Sequence, residues 1–103
     1  MANTTDNKTC LHLVLRSSAE LVDRCSDFFR EGDEVLFMDD GVMCLVTGRF
    51  GASRMHGARG LFVAADLDAR GLAQVARDTQ IRVVSDEEFP GLLRKHDTCL
   101  TWK

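Results

Sequence analysis

Apolar and polar residues fall in blocks along the chain rather than alternating one by one. Cys10-Leu-His-Leu-Val-Leu15 is an apolar run of strand length that stops at polar Arg16-Ser17-Ser18, so it reads as a buried strand. Ser17 and Glu20 stand at capping-box spacing and predict the start of a helix. Its apolar residues Leu21, Val22, Cys25, Phe28 and Phe29 form one stripe at the 3.6-residue period, and Gly32 is placed as its C-terminal cap. Glu34-Val-Leu-Phe-Met38 predicts a second strand. Asp39-Asp40-Gly41 supplies a turn before Val42, Met43, Leu45 and Val46, which Gly48 closes as a short helix.

Residues 49–60 are rich in glycine and arginine with weak periodicity, and predict a loop across the end of the sheet. Leu61-Phe-Val-Ala-Ala65 predicts a third strand, Asp66 caps a single turn ending near Gly71, and Ile81-Arg-Val-Val84 predicts a fourth strand. Ser85 and Glu88 repeat the capping-box spacing and open a helix that turns Phe89, Leu92 and Leu93 inward and ends near His96. Pro90 fits its first turn, where amides have no intrahelical partner. Thr98 to Trp102 predicts a last strand. Strands that alternate with helices and lack polar alternation imply a mostly parallel sheet covered on both faces. The expected fold is α/β, a flavodoxin-like three-layer sandwich of about five strands. It would occupy residues 10–103 as one domain behind a flexible tail, residues 1–9.

Composition narrows the function. A chain of 103 residues is one domain by size, with enough buried surface for a single continuous core. The formal charge of −3 argues against a global nucleic-acid footprint, so no direct nucleic-acid partner is expected. Met1 to Lys8 is polar with no signal-like apolar stretch, and no apolar run approaches the roughly 20 residues that cross a bilayer. A soluble cytoplasmic protein is the expectation. Cys10, Cys25, Cys44 and Cys99 contain no C-x-x-C pair, which removes the common zinc and thioredoxin-type signatures. In a reducing compartment each is a free thiol, either a small core residue or a reactive sulfur.

Leu11-His12, Arg16-Ser17, Glu31-Gly32-Asp33-Glu34, Asp40-Gly41-Val42, Asp66-Leu67 with Ala69-Arg70-Gly71-Leu72, Lys95-His96 and Trp102 form an ordered set spanning about residues 10–102. No single piece is diagnostic, but the ordered set resembles the DsrH/TusB family. The resemblance implies a DsrE-like version of the α/β fold in a subunit that works with DsrE/TusD-like and DsrF/TusC-like sisters in a heterohexamer. It implies persulfide sulfur transfer, serving tRNA wobble-uridine 2-thiolation or oxidative sulfur metabolism, with a downstream acceptor of the TusE/DsrC type. The main sulfur-carrying cysteine of such complexes belongs to the DsrE/TusD partner, so an accessory subunit is implied rather than an independent enzyme. No cofactor is implied.

Sulfur relay needs an accessible thiolate of lowered pKa. Cys25 is the candidate persulfide carrier by resemblance, because it lies seven residues before Gly32, as a cysteine does in DsrH proteins. Its place in the apolar stripe points instead to a core residue with a raised pKa. Cys44 reads as core, and Cys99, beside polar Thr98, as exposed. His12 reads as a hydrogen-bonded core histidine and His96 as a cation at a helix end, while His56 lies in the basic loop. Histidines so scattered give a metal site little support.

Arg49, Arg54 and Arg59 are the one local positive cluster, set among Gly48, Gly51, Gly57 and Gly60. They are candidate contacts to a partner or tRNA, or a solvated loop, and match neither a P-loop nor a dinucleotide fingerprint. Trp102 suits an interface anchor or a buried final strand. The leading expectation is an assembly subunit that helps pass sulfur. A stand-alone sulfurtransferase using Cys25 is the alternative, and a nucleotide- or flavin-binding module, suggested by fold alone, is more remote.

Overall fold

The computed structural model describes residues 8–47 and 52–103. Most of the expected tail, the closing Gly48, and Arg49 lie outside the described residues. The elements in chain order are β1 (Cys10–Val14), α1 (Ala19–Ser26), β2 (Glu34–Phe37), a 3-10 turn (Asp39–Met43) running into α2 (Cys44–Thr47), and α3 (Ala52–Met55). There follow β3 (Arg59–Val63), α4 (Ala64–Ala69), α5 (Ala73–Thr79), β4 (Val83–Val84), a second 3-10 turn (Asp86–Glu88), α6 (Phe89–Lys95) and β5 (Thr98–Trp102).

The five strands form one all-parallel sheet in the order β4-β3-β2-β1-β5. Three successive crossovers step the chain from β1 out to β4, and the last carries it back past β1 to β5. Side-chain parity then divides the interior into two cores. Val14, Val35, Phe37 and Phe62 point to one face and pack with Leu21, Val22 and Cys25 of α1, Cys44 of α2, Leu67 of α4 and Ala76 of α5. Leu11, Leu36 and Leu61 point to the other face and meet Leu92 and Phe89 of α6. Helices on both faces make the expected three layers. β2 lies at the centre, which is why Glu34-Val-Leu-Phe37 is buried throughout and shows no polar alternation.

Several boundaries differ from the sequence reading. The N-cap of α1 is Ser18, not Ser17: its Oγ accepts from the Leu21 amide at 3.2 Å. The helix stops at Ser26, so Phe28 falls beyond it and is 57% exposed, and Gly32 serves a positive-φ turn into β2 instead of a helix cap. The expected loop contains α3 and the first residues of β3. α5 lies where no helix was predicted, since Ala-Gln-Val-Ala-Arg-Asp-Thr carries too little apolar character to show a stripe; it packs through the small Ala76. β4 shortens to two residues. The capping box of Ser85 and Glu88 forms, but in the 3-10 turn before α6, and Leu93 is 42% exposed instead of facing inward.

Candidate functional site

α1 turns Cys25 fully into the larger core, at 0% exposure, where its thiol donates to the Val22 carbonyl at 3.6 Å. Burial pushes the thiol pKa up to about 11, outweighing a backbone hydrogen bond and the nearby Arg24 charge. At pH 7 such a group is ionised to about one part in ten thousand. Cys44 is also buried and Cys10 half-buried; Cys99 is exposed, with its thiol pKa raised by desolvation and by Cys10. Among the described residues no cation acts on Cys99 to hold a thiolate, and Cys25 is sealed.

The remaining site candidates among the described residues, Arg54, Arg59 and Trp102, are not brought together. Arg54 pairs with Asp23 of α1, both largely exposed. Arg59, also exposed, opens β3 and sits in register with Glu34 of β2. Trp102 is half-buried at the end of β5 and lies against exposed Phe28, with ring centroids 5.2 Å apart.

Trp102 joins residues not singled out as a site in an organised polar cluster. Asp33, buried at the turn into β2, accepts from the amides of Cys10 at 2.9 Å and Arg30 at 3.1 Å, and its Oδ2 lies 3.0 Å from His12 Nε2. On the far side of the imidazole, Trp102 Nε1–H donates to His12 Nδ1 at 3.1 Å. An indole N–H can only donate, so Nδ1 must accept and the proton resides on Nε2, facing Asp33. The tautomer is thereby set, and His12 is a neutral bridge tying β5 to the turn before β2.

Next to it, buried Glu34 places Oε1 at 2.7 Å from His96 Nε2 and 3.1 Å from Lys95 Nζ, while His96 Nδ1 meets Thr9 Oγ1 at 2.8 Å. His96 therefore joins the chain ends to the sheet and is not simply a helix-end cation. Burial alone would raise the Glu34 pKa, but the hydrogen bonds from His96 and Lys95, with their charges, prevail and lower it. A carboxyl lowered on folding contributes stability above its ordinary pKa, lost as pH falls through the lowered one. Glu34→Gln is therefore expected to flatten the acid limb of a stability profile below about pH 4.3. Urea midpoints at pH 6 and pH 3 check this; an acid loss as large as in the unsubstituted protein would refute it.

A second cluster lies at the C-terminal ends of the central strands. Arg70 holds Asp40 at 2.8 and 3.1 Å, and Asp66 Oδ2 accepts from the Asp39 amide at 2.7 Å. Beside them a cleft of about 420 Å³ is lined by apolar Leu36, Met38, Val63 and Phe89 and by Asp39, Asp66 and Asp86. Open α/β sheets take ligands at this end. The cleft's described lining holds three carboxylates, two of them within 4.0 Å of Arg70, and no cation placed to bind phosphate, which gives the nucleotide or flavin module no support. Among the described residues no group of three His, Cys, Asp or Glu is placed to hold a metal, and no helix is long and apolar enough to cross a membrane.

The two clusters are built from the stretches that carry the family resemblance: His12, Asp33, Glu34, Lys95, His96 and Trp102 in one, Asp40, Asp66 and Arg70 in the other. Comparison with known proteins agrees. The model of the family described as DsrH like protein matches residues 16–99. Protein TusB of Enterobacter sp. (strain 638) is 37% identical over 75 residues, which span 70% of this chain and 77% of that protein. The family match begins just after β1, runs into β5 and takes in Asp33, Glu34, Arg70 and His96, and on that extent the chain belongs to the DsrH-like family.

Proposed function

We propose that this chain is an accessory subunit of an intracellular sulfur-relay complex, assembling with DsrE/TusD-like and DsrF/TusC-like sisters and leaving the persulfide to a partner's cysteine. Membership of the DsrH-like family supports the relay. The burial of Cys25 carries the accessory role: a thiol with no exposure and a pKa of about 11 can neither meet a donor persulfide nor attack it as thiolate. Cys25 is accordingly a packing residue. The relay serves tRNA wobble-uridine 2-thiolation, the branch the TusB relative favours, or oxidative sulfur metabolism, the branch favoured by the placement of Cys25.

Intact mass spectrometry after incubation with a persulfide donor, with both sisters present, tests this reading. Sulfur is expected on a sister and not on this chain. Cys25→Ala is expected to leave transfer to the acceptor within about twofold while costing about 1 kcal/mol of stability, the usual size of a small core truncation. One added sulfur atom on this chain, absent from Cys25→Ala, would make it a carrier instead.

A further inference from the structure

The two edges of the sheet are finished differently. β4 is only two residues long, and a short edge strand is one way proteins avoid unwanted pairing. β5 runs for five residues, Thr-Cys-Leu-Thr-Trp, with neither charge nor proline, and Thr98 through Thr101 are exposed. Among the described residues it pairs only with β1.

The register fixes which backbone groups are free. The Thr98 amide bonds the Thr9 carbonyl at 3.3 Å and the Trp102 carbonyl accepts from Leu15 at 3.0 Å, so Thr98, Leu100 and Trp102 face β1. Alternation in a parallel ladder then turns the N–H and C=O of Cys99 and Thr101 outward. Such a row can pair with an added extended strand. At the N-terminal ends of β1 and β5 lies a groove of about 250 Å³ whose lining includes Phe28 and Leu100, 57% and 43% exposed, with Lys8, Arg30 and Asp33, the last with both carboxylate oxygens already bonded within the chain. Both cations are exposed, and neither has an ion-pair partner among the described residues.

We infer that the β5 edge takes an extended, carboxylate-bearing segment of a sister subunit as an added strand. The outward groups of Cys99 and Thr101 supply the pairing, Phe28 and Leu100 cover the segment's apolar side chains, and Lys8 and Arg30 meet its acid. The inference rests on the relay-subunit reading and names the face through which the subunit joins its complex.

The test uses the full chain co-expressed with its two sisters, with assembly followed by light scattering on a sizing column and affinity by titration. Thr101→Pro removes one outward N–H and spares every bond to β1, and proline is tolerated in an edge strand. It is expected to weaken assembly roughly tenfold or more, as is Arg30→Glu, while Thr101→Val, which keeps the N–H, assembles normally. In the unsubstituted complex the Cys99 and Thr101 amides are expected to gain protection from hydrogen exchange. Normal assembly by Thr101→Pro would overturn strand addition. So would unprotected amides at 99 and 101 in the assembled complex, or a loss confined to Arg30→Glu. Failure of the unsubstituted chain to join its sisters would instead remove the relay-subunit reading on which the inference stands.

Discussion

Replacing Asp33 by alanine is expected to cost about 4 kcal/mol and to lower the melting temperature by roughly 15 to 20 °C. The carboxylate accepts from two backbone amides and from His12 Nε2, all in or near the interior, and alanine leaves those donors without acceptors. Asparagine is the more informative replacement. All three partners are donors, so either orientation of the amide turns its NH2 group against at least one of them. His12 cannot relieve the conflict by moving its proton to Nδ1, because Trp102 already donates there. Asp33→Asn, although nearly isosteric, is therefore expected to lose about 3 kcal/mol, most of the alanine effect. Thermal unfolding of the two variants measures this; an asparagine variant within 3 °C of the unsubstituted protein would show that packing, not donor–acceptor polarity, holds the turn.

This cluster marks the boundary of what the chain disclosed before its structure. β1 and β2 were legible because apolar runs bounded by polar residues define strands, and the mostly parallel sheet followed from helices set between strands. β5, a largely exposed Thr-Cys-Leu-Thr-Trp, carries no such run and was placed only as a strand-length tail. α1 was legible from its stripe, though its cap moved by one residue, since Ser17 and Ser18 are equally good acceptors and only the entry angle of the chain chooses. α5 was not legible, because a helix that buries only an alanine leaves no periodic trace. His12 was expected as a hydrogen-bonded core residue, and it is one. Its partners lie 21 and 90 positions away, beyond the range of any spacing rule. Glu31-Gly32-Asp33-Glu34 reads locally as a polar turn, and nothing within it shows that Asp33 and Glu34 are buried while Glu31 is exposed. Cys25 was legible as a stripe position, and burial followed from that. The resemblance named it for a different role.

Gly41 illustrates the same limit and is the site of the second large effect. Asp40-Gly41 looks like an ordinary turn, for which alanine in place of glycine would cost about 1 to 2 kcal/mol at most, the penalty of a left-handed residue. The structure gives a different reason for glycine. Its backbone torsion is not of the left-handed kind, but a methyl group at this position would lie 1.9 Å from the Val14 carbonyl oxygen and 2.8 Å from its carbon. That oxygen already accepts from the Met38 amide at 3.1 Å, at the point where β1 and β2 leave the sheet and the 3-10 turn crosses over them. Neither neighbour is a flexible side chain that can swing away, so a methyl group must part the backbone of β1 from the turn and break the Met38 bond. Gly41→Ala is expected to cost at least about 3 kcal/mol, the upper range for overpacking, and to loosen the adjacent pairing of Arg70 with Asp40. Gly71 is the matched control, because it has a positive φ of +68° and nothing within 4 Å of the added carbon, so Gly71→Ala carries only the left-handed backbone penalty of about 1 to 2 kcal/mol. Urea unfolding of the pair separates the two causes. Equal losses would mean that conformational freedom, and not the close approach of two backbones, is what both glycines provide.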